Sequence, residues 1–582
     1  MRTIIRYIRC REWAFITAAL LFTALQVKLE LLFPEYLKTI TVLIQSETID
    51  SSSLTTLCLH LFAFVGGSLL CSVFYVLFVA VAISAVTARM RQSIFNKIMD
   101  FSLEEVAKFS TSSLITRCTF DVMQVQSFLL GAPAMITRAI LVGIMATLGV
   151  LGKNVIWTAI TGGSVTLMMV LLTLLIVLLI PATMRVTKLT DRLNKISLEH
   201  LTGLRVVHAY NAQNYQQKKF NSVNNSLADT NIYINNRMAL MYPTVTIFND
   251  VTCLLIYFSG VFILRSTEAS QKLLVFSDMI AAVSYISQVI LAFFMMIALV
   301  IKMPIVIASV RRISEVLSEA IKIQDGRGVA VSSNDIGRVE FRNVSFRYPG
   351  TVKDALSGIS FTVNPGQTAA IIGSTGSGKT SILNLIPRLY DASEGSVLVD
   401  GFDVKDFKLD DLRERLGYVP QKSMLFSMSI AENIGYGESS RFKTTLEQIK
   451  EAAEIGQAKE FIERQEAGYM TQVQQGGKNF SGGQRQRLTI SRAISRNPEI
   501  YIFDDSFSAL DFKTDKILRT KLRETAGDAT IIIVAQRIST IRNADKIIVL
   551  DKGRIAGAGT HEELMSSCEI YREMAESQSI TQ

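Results

Sequence analysis

A glycine-rich segment holds the clearest chemistry in the sequence. It runs Gly373, Ser374, Thr375, Gly376, Ser377, Gly378, Lys379, Thr380 and then Ser381, and it fits G-x-x-x-x-G-K-[ST]. A buried-strand run precedes it and a helical pattern follows it, a context that a chance glycine-rich turn lacks. The glycines let backbone N–H groups surround phosphates, and the helix adds the positive end of its dipole. The segment therefore predicts nucleotide binding, with Lys379 on the β- and γ-phosphates and Thr380 on Mg²⁺.

Two downstream segments extend this chemistry. The hydrophobic strand 499–504 ends in Asp504, which behind a phosphate-binding loop predicts a second residue that supports Mg²⁺. A second candidate phosphate-binding segment precedes a helical run and consists of Phe480, Ser481, Gly482, Gly483 and Gln484. It is either another backbone cradle for phosphate or a plain helix N-cap, for which serine is favoured. Because one loop already accounts for one nucleotide, the cradle alternative predicts recognition of a γ-phosphate across an interface.

The composition shows what kind of chain must position these residues. Of 582 residues, 49% are hydrophobic and 19% are charged, whereas soluble proteins have about 25% charged residues. This excludes a disordered, collagen-like or purely soluble protein. The six cysteines are scattered without CxxC spacing, so neither a disulfide framework nor a zinc site is indicated.

The basic excess belongs to the apolar half. Residues 1–322 hold 27 Lys and Arg against 17 Asp and Glu, and the remainder holds 33 against 34. The basic residues lie between hydrophobic stretches and are not interleaved with aromatic side chains on a soluble face. The pattern predicts a membrane partner and no nucleic acid.

The predicted fold is a membrane α-helical domain fused to an α/β P-loop nucleotide-binding domain. We assign residues 1–322 to the membrane domain, 323–337 to a polar linker and 338–582 to the nucleotide-binding domain. The predicted spans are 13–33, 54–86, 129–151, 154–181, 239–264 and 277–301, on runs about as long as the ~20 apolar residues needed to cross a bilayer. The proline-free segments 86–126 and 185–238 are predicted to continue as helices into the cytoplasm.

The basic residues also predict the orientation. Twenty-one of the 27 fall on one side, which the positive-inside rule makes cytoplasmic, together with both termini and the nucleotide-binding domain. A plasma-membrane location follows. Residues 1–27 are interpreted as the first span and not a signal peptide, because no small-x-small cleavage site follows. Lys28, Glu30, Arg138 and Asp250 lie in or beside spans, where they either face a cavity or snorkel and pair.

At this point the chain resembles the exporter type of ATP-binding cassette (ABC) half-transporter over nearly its whole length. FSGGQ at 480–484 is similar to the family signature LSGGQ. The resemblance assigns Gln421 to the Q-loop and to Mg²⁺, Tyr348 to stacking on adenine, and Asp511 to the D-loop. Segments 205–210 and 309–313 resemble a coupling segment and the exit toward the nucleotide domain. By this resemblance two chains make twelve spans, and each ATP contacts the P-loop of one chain and the signature of the other.

The sequence departs from the family at two reacting positions. Asp505 stands where the family has its catalytic Glu, and Gln536 stands where it has a switch His. Asp is one methylene shorter, about 1.5 Å, and Gln cannot become cationic or transfer a proton as His does. Conservative drift to a slow site is one interpretation, and a site dedicated to holding ATP is the favoured one.

The resemblance extends to bacterial heterodimeric multidrug exporters, including the stretch 473–484. It implies a partner half-transporter with intact Glu and His, and small amphipathic molecules as substrates. Two alternatives stay open at this stage. One is a homodimeric lipid or peptide exporter with slow turnover, and the other is a membrane protein that senses nucleotide without transport. The intact signature argues against the sensor.

Overall fold

The computed structural model describes residues 5–44, 51–151, 153–329, 335–437 and 444–579. Contacts divide the chain into two units, Met1–Asp100 with Phe109–Glu319, and Phe101–Lys108 with Ala320–Gln582. Residues 330–334 of the predicted linker lie outside the described residues.

The first unit is helical. Its main helices are α1 (Cys10–Ile44), α2 (Ser51–Met99), α4 (Thr111–Thr116), α5 (Val122–Leu151), α6 (Val155–Thr202), α7 (Leu204–Ala209), α8 (Gln213–Ser266) and α9 (Lys272–Ser318), with a π-helix at Arg117–Asp121 between α4 and α5. The short α3 (Leu103–Phe109) falls almost wholly in the second unit. Among the described residues, six helical stretches are long and apolar enough to cross a membrane. This confirms the predicted fold class of the membrane half.

The spanning helices are longer than a bilayer requires. Helices α2, α6, α8 and α9 contain 47 to 54 residues, or about 70–80 Å at 1.5 Å per residue. The apolar bilayer core is about 30 Å thick. Each of these helices is therefore longer than one crossing requires. Helix α2 extends into the proline-free segment 86–126, and α6 and α8 cover most of the segment 185–238.

One intramembrane ion pair joins α1 to α5. Arg138 donates to Glu30 Oε2 at 2.8 Å, while Glu30 Oε1 accepts from Gln26 at 3.0 Å and from Ser68 at 3.3 Å. Arg138 is thus paired, whereas Glu30 is paired and also lines a cavity of about 300 Å³ together with Phe33, Phe64 and Gln288. Asp250 accepts a hydrogen bond from the Asn249 amide at 3.3 Å.

A second charged cluster ties α1, the α5–α6 turn and α9 together. Lys153 in the turn lies 3.0 Å from both Glu35 on α1 and Asp278 on α9, and Lys38 lies 2.8 Å from Asp278. The Tyr285 hydroxyl donates to Glu35 at 3.0 Å. Only 7% of the Lys153 side chain is exposed, so its charge depends on these carboxylates for solvation. We call these five residues the lysine network.

The second unit contains two sheets. Its strands are β1 (Val339–Phe346), β2 (Leu356–Val363), β3 (Thr368–Gly373), β4 (Glu394–Val399), β5 (Phe402–Asp403), β6 (Leu416–Val419), β7 (Ile500–Asp504), β8 (Thr530–Val534), β9 (Lys546–Asp551) and β10 (Arg554–Gly559). One sheet has the order β2-β1-β4-β5 and is antiparallel; the other has the order β10-β9-β3-β8-β7-β6 and is parallel except for β10.

Helices surround these sheets. They are α10 (Lys379–Leu385), α11 (Leu409–Glu414), α12 (Ile430–Ile434), α13 (Leu446–Ile455), α14 (Lys459–Glu463), α15 (Gly482–Ser495), α16 (Phe512–Thr525), α17 (Ile538–Ile541), α18 (His561–Ser567) and α19 (Glu569–Ser579), with 3₁₀ turns at Gly468–Met470 and Gln475–Gly477. Strands β7 and β8 are buried throughout and β3 nearly so, as expected of a parallel sheet covered on both faces. Because β3, β8 and β7 are neighbours, the segments that follow their carboxyl ends lie side by side.

Candidate functional site

The loop between β3 and α10 has the backbone of a phosphate cradle. Gly376 and Gly378 adopt positive φ angles of 82° and 102°, which side chains other than glycine rarely adopt. A Cβ on Gly378 would lie 2.6 Å from the Leu356 side chain and 2.9 Å from the Ala355 carbonyl oxygen. Glycine is therefore required here, and α10 begins directly behind it.

Lys379 lies folded over this loop. Its ammonium donates to the carbonyl oxygens of Gly373 at 2.9 Å and Ser374 at 2.8 Å. Burial lowers the pKa of the Lys379 ammonium, against the opposing effect of the Asp505 and Asp504 carboxylates. A phosphate in the loop would give this charge a stronger acceptor than the two carbonyl groups.

The residues proposed for Mg²⁺ meet beside the loop. The Thr380 hydroxyl donates to Asp504 Oδ1 at 3.2 Å, from the first turn of α10 to the end of β7. Burial raises the pKa of the Asp504 carboxyl, and the Thr380 hydrogen bond opposes this. Hydroxyl and carboxylate oxygens are ligands that Mg²⁺ prefers, and it uses one or two of them together with substrate phosphates. The donor set fits the ion.

The two departing residues touch each other. Gln536, after β8, donates from Nε2 to Asp505 Oδ2 at 2.8 Å, and Gln421 Nε2 lies 3.5 Å from the same oxygen. Burial raises the pKa of the Asp505 carboxyl, and the hydrogen bond from Gln421, the Lys379 charge and the hydrogen bond from Gln536 oppose it. Asp505 has a left-handed backbone, with φ +48°, that Asp tolerates better than most residues.

These residues line one cavity of about 320 Å³. Its walls include most of the predicted nucleotide residues, namely Tyr348, Thr375, Gly376, Gly378, Lys379, Thr380, Ser381, Gln421, Asp504, Asp505 and Gln536. The predicted residues Gly373, Ser374 and Ser377 belong to the loop but are not part of the walls. Ala355 and Val534 also line the cavity, and no chemical feature of these apolar residues could have revealed them.

Tyr348 lies at the mouth of the loop. Its hydroxyl and that of Ser381 are 2.9 Å apart, which joins the end of β1 to α10. The rings of Phe346 and Tyr390 meet its own edge-on, with centroids at 4.7 and 5.4 Å. The ring is thus held by packing at a wall of the cavity.

The signature segment is a capped helix start away from that cavity. The Ser481 hydroxyl accepts from the Gln484 N–H at 3.2 Å, and the Gln484 side chain accepts from the Ser481 N–H at 2.9 Å. Phe480 is buried against Phe461, whereas a Cβ on Gly482 would lie more than 4 Å from every described neighbouring residue. The N-cap alternative is therefore realised in the chain, and it leaves the open side of Gly482 available to another molecule.

The D-loop residue Asp511 has a local role as well. Its carboxylate caps α16 by accepting from the Thr514 N–H at 2.9 Å, and this bond lowers the pKa of the Asp511 carboxyl. Gly483 approaches the same region, since a Cβ on it would lie 3.2 Å from the Ala509 carbonyl oxygen. The signature and the D-loop are therefore neighbours in the fold.

Comparisons with known proteins agree with this geometry. Residues 16–293 match the model of the ABC transporter transmembrane region, and residues 356–508 match that of the ABC transporter. An uncharacterized ABC transporter ATP-binding protein of Mycobacterium tuberculosis is 37% identical over 84% of this chain and 84% of its own length. The chain belongs to the ABC transporter family. It combines one membrane domain and one ATP-binding domain, as an exporter half-transporter does.

Other relatives of this chain are exporters or flippases. The ATP-dependent lipid A-core flippase of Pseudomonas aeruginosa is 32% identical over 82% of this chain and 77% of its own. A putative multidrug export ATP-binding/permease protein of Bacillus subtilis is 31% identical over 84% and 83%. The fold is that of a bacterial Atm1-family ABC exporter with ATP bound, with a TM-score of 0.77, 24% identity and coverage of 97% and 98%. The predicted family and fold class are confirmed: the chain is a multi-pass membrane protein of an ATP-driven exporter.

Proposed function

We propose that this half-transporter works with a different one, and that its own site binds ATP but hydrolyses it poorly. The observation that carries the proposal is the contact of Asp505 with Gln536, 2.8 Å apart, at the reacting end of a cavity with a complete P-loop. Both departures from the family pattern lie at one reaction centre. The phosphate-binding residues beside them are unchanged.

The residues of this site favour holding over cleaving. Lys379 would bind the β- and γ-phosphates, while Thr380 and Asp504 would hold Mg²⁺, which neutralises phosphate charge when bound. The short Asp505 side chain keeps its carboxylate about 1.5 Å farther from an attacking water than Glu would. Gln536 donates a hydrogen bond to that carboxylate but cannot accept a proton from it. ATP is thereby bound without an effective base.

The signature segment serves the partner's site in this proposal. Ser481 and Gly482 lie at the amino end of α15, where backbone N–H groups and the helix dipole favour an anion. Because a Cβ at Gly482 would meet no atom of the described residues within 4 Å, this side of Gly482 can approach a γ-phosphate held by the other half-transporter. That site would carry the Glu and His that this chain lacks, and most hydrolysis would occur there.

The proposed cargo is small amphipathic molecules, including drugs, exported across the plasma membrane. Similarity to a putative multidrug export protein supports this class. The second candidate is a homodimeric exporter of lipids or peptides with slow turnover, and similarity to lipid A-core flippases supports the lipid cargo. Both termini and the ATP-binding domain are proposed to be cytoplasmic because 21 of the 27 basic residues of the membrane half lie on that side.

Two substitutions in this chain distinguish the candidates. In the heterodimer, Gly482→Asp places a carboxylate against the partner's γ-phosphate, and we expect ATPase activity to fall by about 10²–10³ as for loss of an oxyanion donor. Asp505→Ala affects a site that turns over little, so most activity should remain. The measurement is steady-state ATPase of each variant purified with its partner. Equal and severe losses would show that Asp505 is the working base and would refute the asymmetric proposal.

A further inference from the structure

One buried carboxylate in the first unit, that of Asp121, accepts hydrogen bonds from two residues on one turn of α9. Asp121 is the last residue of the π-helix, and its side chain is fully buried. Oδ1 accepts from the Ser309 hydroxyl at 2.7 Å, and Oδ2 accepts from Arg312 Nε at 2.8 Å. Arg312 Nη2 also donates to Oδ1. The guanidinium therefore binds both carboxylate oxygens.

A second arginine, on the π-helix, binds the next turn of α9. Arg117, the first residue of the π-helix, donates to the Arg312 carbonyl oxygen at 2.7 Å and pairs with Glu315 at 3.2 Å. Its guanidinium also lies over the Phe109 ring, 4.8 Å from the centroid. We call Arg117, Asp121, Ser309, Arg312 and Glu315 the α9 clamp.

Stability alone is a weak reason for such a clamp. Replacing a buried ion pair by apolar residues of similar volume is often neutral or stabilising, and the best-attested use of buried pairs is to fix register. A two-pronged arginine–carboxylate pair constrains direction as well as distance. π-Helical turns, in addition, are rare and frequent at functional sites. The clamp is therefore suited to fixing how far along and how far around its axis α9 lies against the π-helix.

The α9 clamp lies between the carboxyl end of α9 and the third and sixth spans. The π-helix continues without interruption into α5, the third span, and α9 contains the sixth span. Arg312 lies six residues before the end of α9 at Ser318, and the ATP-binding unit begins again at Ala320. Movement that enters α9 from its carboxyl end must pass this point to reach the membrane.

We propose that Asp121 and Arg312 are positioning residues for transport, which lock α9 to α5 so that ATP-driven movement reaches the third and sixth spans together. Without the lock, α9 would rotate or slide locally and the movement would be lost before the bilayer. Binding of ATP itself would be unaffected. The inference requires an ATP-driven exporter and is independent of whether the two half-transporters differ.

The test compares a nucleotide response with stability in four variants. Arg312→Lys keeps the charge but loses the planar fork, and Asp121→Asn keeps the shape but loses the charge. The double variant Asp121→Leu with Arg312→Met keeps apolar volume. Arg311→Met is the matched control, because this adjacent arginine is 83% exposed and its described ion pair, with Glu315 at 3.5 Å, leaves the Asp121–Arg312 pair intact.

The readout is at the other end of the same helix. Leu274→Cys, at a position 51% exposed near the start of α9, is introduced after the native cysteines are replaced. Its rate of reaction with a charged maleimide is measured in nanodiscs, with and without Mg-ATP and vanadate, on the complete transporter. Photolabelling with azido-ATP and the melting temperature are measured on the same samples.

We expect the unmodified protein and Arg311→Met to change labelling rate with nucleotide. In Arg312→Lys and Asp121→Asn the change should shrink at least fivefold while azido-ATP labelling is retained. The double variant should recover the melting temperature but not the response. If it recovers both, or if Arg312→Lys responds normally, the clamp is only structural and the proposal is overturned. A maleimide labelling rate of Leu274→Cys that is the same with and without nucleotide, in the protein with an intact clamp, would also overturn the proposal.

Discussion

Restoring the family residues at the two departing positions should convert this chain into a faster ATPase. The perturbation is Asp505→Glu with Gln536→His. In the structure these side chains already meet at 2.8 Å beside the P-loop cavity, so the change adds reach and proton-carrying capacity without a new site. The intact signature of a second copy would complete each site in a homodimer.

The expected magnitude follows from the missing methylene. Glu would advance the carboxylate by about 1.5 Å, and a 1 Å misplacement can cost about 10²-fold in rate. We therefore expect Asp505→Glu to raise kcat by about 10²-fold, or about 2.7 kcal/mol in activation free energy. Because Asp505 has φ +48°, Glu there should lower the free energy of unfolding by about 1 kcal/mol. Rate and stability should thus move in opposite directions.

The assay is phosphate release by the purified chain in nanodiscs, with its dimeric mass verified by mass photometry. Asp505→Asn with Gln536→His is the control, because it supplies the imidazole but no base. If the Asp505→Glu, Gln536→His dimer binds ATP and its rate stays within threefold of the unmodified dimer, the two departures do not limit hydrolysis. The reasoning about a degenerate site would then be refuted.

Further outcomes follow from single side chains. Lys379→Ala should abolish photolabelling by azido-ATP, since the loop loses the ammonium group proposed to bind the β- and γ-phosphates. Burial raises the pKa of the Asp504 carboxyl, so the stability that this group contributes is present in acid and is lost as pH rises through the folded pKa. Asp504→Asn should therefore raise the melting temperature of the nucleotide-free protein more at pH 7.5 than at pH 4.5. The same variant should lose its stabilisation by Mg-ATP. On intact cells Cys10 should resist an impermeant maleimide because the N-terminus is proposed to be cytoplasmic, and it should react after permeabilisation because its side chain is exposed. Labelling of Cys10 from outside would contradict the proposed topology. In the lysine network, Lys153→Met removes a cation from Glu35, which is 44% exposed, and from Asp278, which keeps Lys38, and it should cost about 1–3 kcal/mol of stability. Lys38→Met, whose side chain is 25% exposed, should cost less; equal melting temperatures would contradict this.

The P-loop was predictable because its geometry is local. Eight consecutive residues contain the glycines, Lys379 and Thr380, and positive φ at Gly376 and Gly378 follows from residue type. The hydrophobic run before them similarly requires a buried strand. Nothing distant in the chain is needed to place these groups.

The meeting of Asp505 with Gln421 and Gln536 was not local. These glutamines lie 84 and 31 residues from Asp505, and they converge because β6, β7 and β8 are adjacent in the sheet. Family resemblance singled them out, whereas the spacing alone carried no signal. The contact between the two departing residues came only from the fold.

The α9 clamp shows the same limit more strongly. Asp121 and Arg312 are 191 residues apart, and each is a charged residue beside an apolar run, with another charge close by in the sequence (Arg117 and Arg311). Such a charge ordinarily faces water, so the sequence pattern favours an exposed position. Only the packing of α9 against the π-helix shows that Asp121 is buried.

The ion pair between Glu30 and Arg138 has a consequence for how the protein is made. An arginine near the middle of a helix costs about 2.5–3.5 kcal/mol when the translocon transfers that helix into lipid. Arg138 lies near the middle of α5, and its partner lies on α1, which is synthesised first. The third span therefore gains its full stability in the bilayer only when the first is already there. Membrane insertion of this chain is in that sense ordered, with an early span holding the counter-ion for a later one.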